Sequence, residues 1–229
     1  MSYWILLTHT ASLFPIGVYL WSWKIRKDSA SVYMFFHTIF VVFFSILYHT
    51  EHVAESNLSN LNNSTWTFLD SSQSAILIIT TIFYGLRIRE PQFYIASYVS
   101  SMIMLILYLF KYYNISVYIM SIFCCSTGLI KWRTIWRYIR FYYYNTFLTI
   151  FFAICAIICF IAASEHENMY IIYHSLWHFF IFFTAGFGSL LRYKLDQKLY
   201  PISRTRDTLY SNEMIVIRDN NENNNENEN

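Results

Sequence analysis

The chain has 229 residues, enough for one domain, and a formal net charge of +2. Apolar residues make up 56% of it, aromatic residues 21% and charged residues only 13%, where a soluble domain carries about 25% charged residues. That balance argues against an ordinary water-soluble domain and points to a membrane protein, which the spans below make all-α.

In chain order, seven hydrophobic spans are predicted over 3–23, 31–50, 66–86, 91–110, 114–130, 141–163 and 169–191. Most are long enough, at about 1.5 Å per residue, to cross a hydrocarbon core of about 30 Å; the fifth is short. Trp and Tyr gather near several ends, as residues of a membrane interface do. The first span has no basic stretch ahead of it, and Lys24, Arg26 and Lys27 come after it. It therefore reads as a retained helix with its N-terminus outside, not as a secretory leader. Cys124, Cys125, Cys155 and Cys159 all lie in apolar runs, so no disulfide framework is expected and the thiols read as packing residues. Near the end the chain turns into "DNNENNNENEN", a tract with too little apolar surface to order itself. The expected organisation is a seven-transmembrane domain over 1–192 and a largely disordered cytosolic tail over 193–229.

Orientation follows from the basic residues. Lys24, Arg26 and Lys27 fall after the first span, Arg87 and Arg89 after the third, and Lys131, Arg133, Arg137 and Arg140 in a loop over 131–140. Arg192, Lys194, Lys198, Arg204, Arg206 and Arg218 follow the seventh. Of the 16 Lys and Arg residues, only Lys111 falls on the other side. A seven-span bundle with the N-terminus outside and the C-terminus cytosolic is the expected fold. The N-x-S/T sequons at Asn57, Asn62, Asn63 and Asn114 fall in the outer connections of that topology, as glycosylation candidates should.

This topology brings chemistry to one depth. The second span runs outward and ends "FFSILYHTEH", with Ser45 and His49 four apart on one helix face. The third starts from the outside with "WTFLDSSQS", and Asp70 is its only acidic residue. The seventh opens with "YHSLWHF", again placing two histidines, His174 and His178, four apart. Each motif alone has a plain explanation. Membrane histidines pack and bond across helices, serines bond their own backbone, and an aspartate near a helix start serves as a cap. Together, three imidazoles and a carboxylate at a common depth suit zinc, with His49, His174 and His178 as ligands and a water in the fourth position. Asp70 would act as general base on that water, and Ser45 would donate a hydrogen bond to it, to Asp70 or to an oxyanion. His37 lies about 18 Å along the helix axis from His49 and is excluded. His9 stands at a plausible depth in the first span without a motif, and a role behind the ligands is the one considered for it. His52 and His166 read as solvated loop residues.

A serine-x-x-x-histidine, then a single aspartate, then histidine-x-x-x-histidine on the last of seven spans resembles the CREST superfamily of membrane hydrolases. That group includes alkaline ceramidases and progestin and adiponectin receptors, and the resemblance is strongest to its transmembrane protein 8 and myomaker family. It rests on "SLFPIGVYLWSWKIRKDSASVYMFFHTIFVVFFSILYH", "LDSSQ", "RIREP" and "IIYHSLWH" and covers about 1–192. The resemblance implies a zinc-dependent hydrolase of a membrane lipid amide or ester, reached from the outer leaflet of the plasma membrane or a secretory-pathway membrane. The alternative is a non-enzymatic, myomaker-like protein of lipid remodelling or cell fusion, in which zinc is a structural clip. Haem held by histidine pairs fits poorly, because no second pair faces the first from the other leaflet. The expected partners are a membrane lipid and, as a homodimer, a second copy of the chain.

Overall fold

A computed structural model of the chain describes residues 7–54, 63–165 and 169–200. The described residues form helices joined by short turns, with no strand among them. A 3₁₀ turn, His9–Ser12, precedes seven α-helices: α1 Leu13–Arg26, α2 Ser29–Ala54, α3 Asn63–Gly85, α4 Gln92–Leu109, α5 Tyr113–Ile130, α6 Trp132–Glu165 and α7 Tyr170–Leu199. The chain divides into two compact units, residues 1–195 and 196–229; the described part of the second is the end of α7 and Tyr200.

Four local expectations are corrected. The first span is not one regular α-helix: after α-helical Leu7 and Thr8 the chain winds as 3₁₀ over His9–Ser12 before α1. Pro15 has no N–H to donate to the carbonyl four residues back, and its ring crowds that carbonyl; the tighter winding avoids both. The loop over 131–140 is helical. "WRTIWRYIR" lacks Gly and Pro and continues into α6, with the axis broken only at Tyr142 (φ −140°, ψ 45°). His52, expected in a loop, lies in the last turn of α2. Finally, α7 runs on past Leu191 to Leu199, because "LRYKLDQKL" consists of helix formers and Arg192, Tyr193 and Leu195 are buried.

The packing is that of a membrane protein. Three helices are long and apolar enough to cross a bilayer, within Ser29–Thr50, Gln92–Leu109 and Trp132–Ala163, and Ile115–Ile130 is a shorter apolar helix. Phe36, Phe40 and Phe43 stand exposed on one face of α2, and Phe147, Ile150, Ile154, Ile157 and Ile161 on one face of α6. Serines and threonines are buried between helices instead, where small side chains allow close approach. Several of their hydroxyls are satisfied within their own helices: Thr38 donates to the Met34 carbonyl (2.8 Å), Thr80 to Ile76 (2.9 Å) and Ser189 to Ala185 (2.7 Å).

Cross-helix contacts fix the directions. α2 and α3 are antiparallel, with Ser31 Oγ 2.7 Å from the Tyr84 hydroxyl at one end, His37 Nδ1 3.4 Å from Thr80 Oγ1 midway, and Ser45 beside Asp70 near the other. α1 is parallel to α7, through His9 and His178, Phe14 and Phe183, and Trp21 and Tyr193 in register. A Cβ on Gly186 would overlap the Phe14 ring, so glycine there is what seats α1 against α7. α6 is antiparallel to α7, from the amide oxygen of Asn145, which accepts from Lys194 Nζ (3.2 Å), to Phe160 on Trp177. α3 is buried on most of its circumference and contacts α2, α4 and α5.

At the end where α1 meets α2, a polar clamp closes the bundle. Asp28 accepts from the Ala30 amide (3.2 Å) and the Ser31 hydroxyl (2.9 Å), capping α2. Arg192 of α7 donates to Asp28 Oδ2 and to the Tyr84 carbonyl, each at 3.1 Å, and its guanidinium lies 3.9 Å above the Tyr84 ring. Glu90 joins from the turn before α4, accepting from Ser29 Oγ (2.7 Å) and the Ala30 amide (3.0 Å).

Candidate metal centre

The other end of the same helices carries the histidines. On α2, Met34, Thr38, Val41, Ser45 and His49 recur at helical spacing and are all buried, so Ser45 and His49 belong to the inward stripe. On α7 the inward stripe is His178, Phe182, Ala185, Ser189 and Arg192, and His174 sits one turn above it. Antiparallel packing, pinned by Asp28 and Arg192 at the far end, lays the two histidine-bearing turns side by side.

The result is a triangle of ring nitrogens. His49 Nε2 lies 3.3 Å from His178 Nε2 and 3.3 Å from His174 Nε2, and the last two are 3.1 Å apart. A neutral imidazole nitrogen either carries a proton and donates, or carries a lone pair and accepts. With three atoms and two kinds, at least two are alike, and their contact cannot be a hydrogen bond. The three contacts are therefore never all satisfied by protons among the imidazoles. A cation on which three lone pairs converge would satisfy all three together. Tetrahedral zinc with Zn–N of about 2.0–2.1 Å has ligand–ligand edges of about 3.3 Å, close to the edges of this triangle. The donor set, three imidazoles and no thiolate, is one that zinc shares with copper, iron and nickel.

Ser45 lies one turn from His49 on α2 and faces Asp70 of α3. Both are buried, and the Ser45 hydroxyl faces the Asp70 carboxyl without a hydrogen bond of regular geometry. Asp70 Oδ1 and Ser45 Oγ thus remain buried and unsatisfied among the described residues, which is uncommon for oxygens removed from solvent. Among those residues Asp70 hydrogen-bonds none of the histidines; it reaches the cluster through Ser45, one turn from His49. Aromatic rings line the rest: Tyr170 stacks on His174 (centroids 4.9 Å apart), Trp177 lies 4.5 Å from His178, and Tyr48 lies 4.9 Å from His49.

The structure therefore brings together His49, His174 and His178, and Ser45 with Asp70. His37 stays apart beside Thr80. Of the glycosylation candidates, Asn63 and Asn114 fall in the first turns of α3 and α5, while Asn57 and Asn62 lie outside the described residues, as do His166 and the polar tract. The residue that sequence reasoning undervalued is His9. It is 3% exposed, and its ring centroid lies 4.5 Å from that of His178. His9, His49 and His178 form a second, looser grouping whose ligand atoms lie within 4.8 Å of one another. The tighter triangle is the better ligand set, because its edges match a coordination sphere. The signal for His9 was depth alone: a histidine in an apolar span, level with three others.

Residues 2–179 match the model of a family described as "Protein of unknown function (DUF3522)", a stretch that ends just after His178 and contains every residue of the cluster. No curated protein matches the chain, and no solved structure does.

Proposed function

The chain belongs to this family, and from the triangle of histidine nitrogens we propose that it is a zinc-dependent hydrolase of a membrane lipid amide or ester. His49, His174 and His178 hold the metal. When bound, zinc polarises a substrate carbonyl and makes water a competent nucleophile near neutral pH. Asp70 accepts the proton of the attacking water at Oδ1 and passes it to the departing amine or alkoxide, so that one acyl bond is exchanged for a fatty acid and a free amine or alcohol. Ser45 donates its hydroxyl proton toward the oxyanion that develops on the carbonyl. The two unsatisfied oxygens support this assignment, since water and substrate would supply their missing partners. The resemblance to the transmembrane protein 8 and myomaker family supports a lipid substrate. The asymmetry of Lys and Arg supports seven spans with the N-terminus outside and a site facing the outer leaflet.

One observation favours a second reading. The triangle bridges α2 and α7, so a metal there would also act as a structural clip, as in a non-enzymatic protein of lipid remodelling. Asp70→Asn separates the two, because Asn cannot accept the water's proton and the loss of a general base costs about 10²–10⁴ in rate. Zinc content and fatty-acid release from phospholipid, lipid-anchored and ceramide substrates in nanodiscs are measured for both proteins. The hydrolase reading expects zinc in both and release only from wild type. No release by wild type from any of the three, with the cellular effect intact in Asp70→Asn, would establish the clip.

A further inference from the structure

We propose that His9 is the fourth histidine of this centre and that it holds the oxygen ligand at the metal's open position by a hydrogen bond, without binding the metal itself. The inference rests on the zinc reading above and deepens it, because it assigns the residue that recognises water or an acyl oxygen at the site.

Three observations converge on His9. It comes from a separate element, the 3₁₀ turn ahead of α1, yet it is as buried as two of the three ligands, at 3% exposure beside 2% for His49 and His178. Its ring is tilted against His178 (centroids 4.5 Å apart) and edge-on to His49 (5.9 Å), with Phe182 behind at 6.1 Å. Its ligand atom lies within 4.8 Å of those on His49 and His178, but His9 is no vertex of the triangle with 3.1–3.3 Å edges.

Three vertices at coordination spacing leave a tetrahedral metal one open position. A nitrogen just outside such a triangle can reach a ligand there with one hydrogen bond of about 2.7–3.0 Å. Imidazole suits the task for either class of ligand. It donates to the carbonyl or carboxylate oxygen of an acyl group and, in the other tautomer, accepts from water. The 3₁₀ turn and the seat of Phe14 over Gly186 fix α1 against α7 and so fix the ring.

The test uses the full chain in detergent, loaded with Co²⁺ as a spectroscopic substitute and titrated with acetohydroxamate as the oxygen-donor probe. X-ray absorption on the wild type should show three imidazoles and at least one oxygen. His9→Phe, which keeps the ring volume against Phe182, should retain one metal per chain but shift the visible band. It should bind the probe about 10–100-fold more weakly, the usual effect of losing a group that orients a metal's ligands. His9→Gln, which keeps hydrogen-bonding capacity, should recover most of that affinity. Four imidazoles in the wild type, or metal lost from His9→Phe, would make His9 a ligand and overturn the proposal. Unchanged probe affinity in His9→Phe would overturn it too, as would failure of His9→Gln to recover, which would assign the loss to packing. If His9→Phe does not fold, His9→Ala decides by the same titration. Wild type that binds no metal at all fails the zinc reading itself, a result distinct from the others.

Discussion

Arg192→Met tests the clamp that sets α7 against α2. The arginine donates to Asp28 Oδ2 and to the Tyr84 carbonyl, both at 3.1 Å, and stacks on the Tyr84 ring. The two charged side chains are only 11% and 16% exposed, so water screens the pair weakly. Methionine fills much of the volume but leaves the Asp28 carboxylate without its counter-charge and a buried carbonyl without one donor. Breaking a buried pair from one side costs about 3–5 kcal/mol. Asp28 still accepts from the Ala30 amide and the Ser31 hydroxyl, which offsets part of that loss, so about 3 kcal/mol is expected. Asp28→Leu should cost a similar amount, and Arg192→Met with Asp28→Leu should cost much less than the sum, since no charge is then stranded. The assay is reversible unfolding in lipid nanodiscs for all four proteins of the cycle. A single-mutant cost below about 1 kcal/mol, with coupling below about 0.5 kcal/mol, would mean that the pair behaves as an exposed one and that something else sets the helix register.

Two further outcomes are expected. If the proposed zinc site is right, purified wild type should carry about one zinc by elemental analysis, His174→Ala should lose most of it, and His37→Ala should keep it, because only the first would remove a corner of a tetrahedral site. A tag after Asn229 should be reached from the cytosol and a tag before Met1 from outside, by protease protection in sealed vesicles; both on one side would refute seven spans.

Much of the helical framework was legible because apolar length reports directly on helices in lipid. The ends of the third, fourth and fifth spans agree with α3, α4 and α5 to within a few residues. The proximity of Ser45 and His49 to Asp70, His174 and His178 was legible for a different reason. Basic residues order the spans, and order converts position along a span into depth. What failed was information that crosses helices. Arg192 read as the start of a tail because its partner Asp28 is 164 positions away. Arg133, Arg137 and Arg140 look like a loop by charge alone, but the run around them has no Gly or Pro and stays helical. His9 belongs to no H-x-x-x-H or S-x-x-x-H motif, so only the packing of α1 on α7 shows where it goes.

The 3₁₀ turn at His9–Ser12 makes Pro15 an indirect part of the centre. A 3₁₀ helix turns about 120° per residue and rises about 2.0 Å, where an α-helix turns about 100° and rises about 1.5 Å. Over four residues the difference is about 80° of rotation and about 2 Å of advance. A chain with the same residues in regular α-helix would aim position 9 almost a quarter-turn away and short of its neighbours. Proline acts as a gear ratio: it sets how far round and how far up the bundle the imidazole of His9 is delivered.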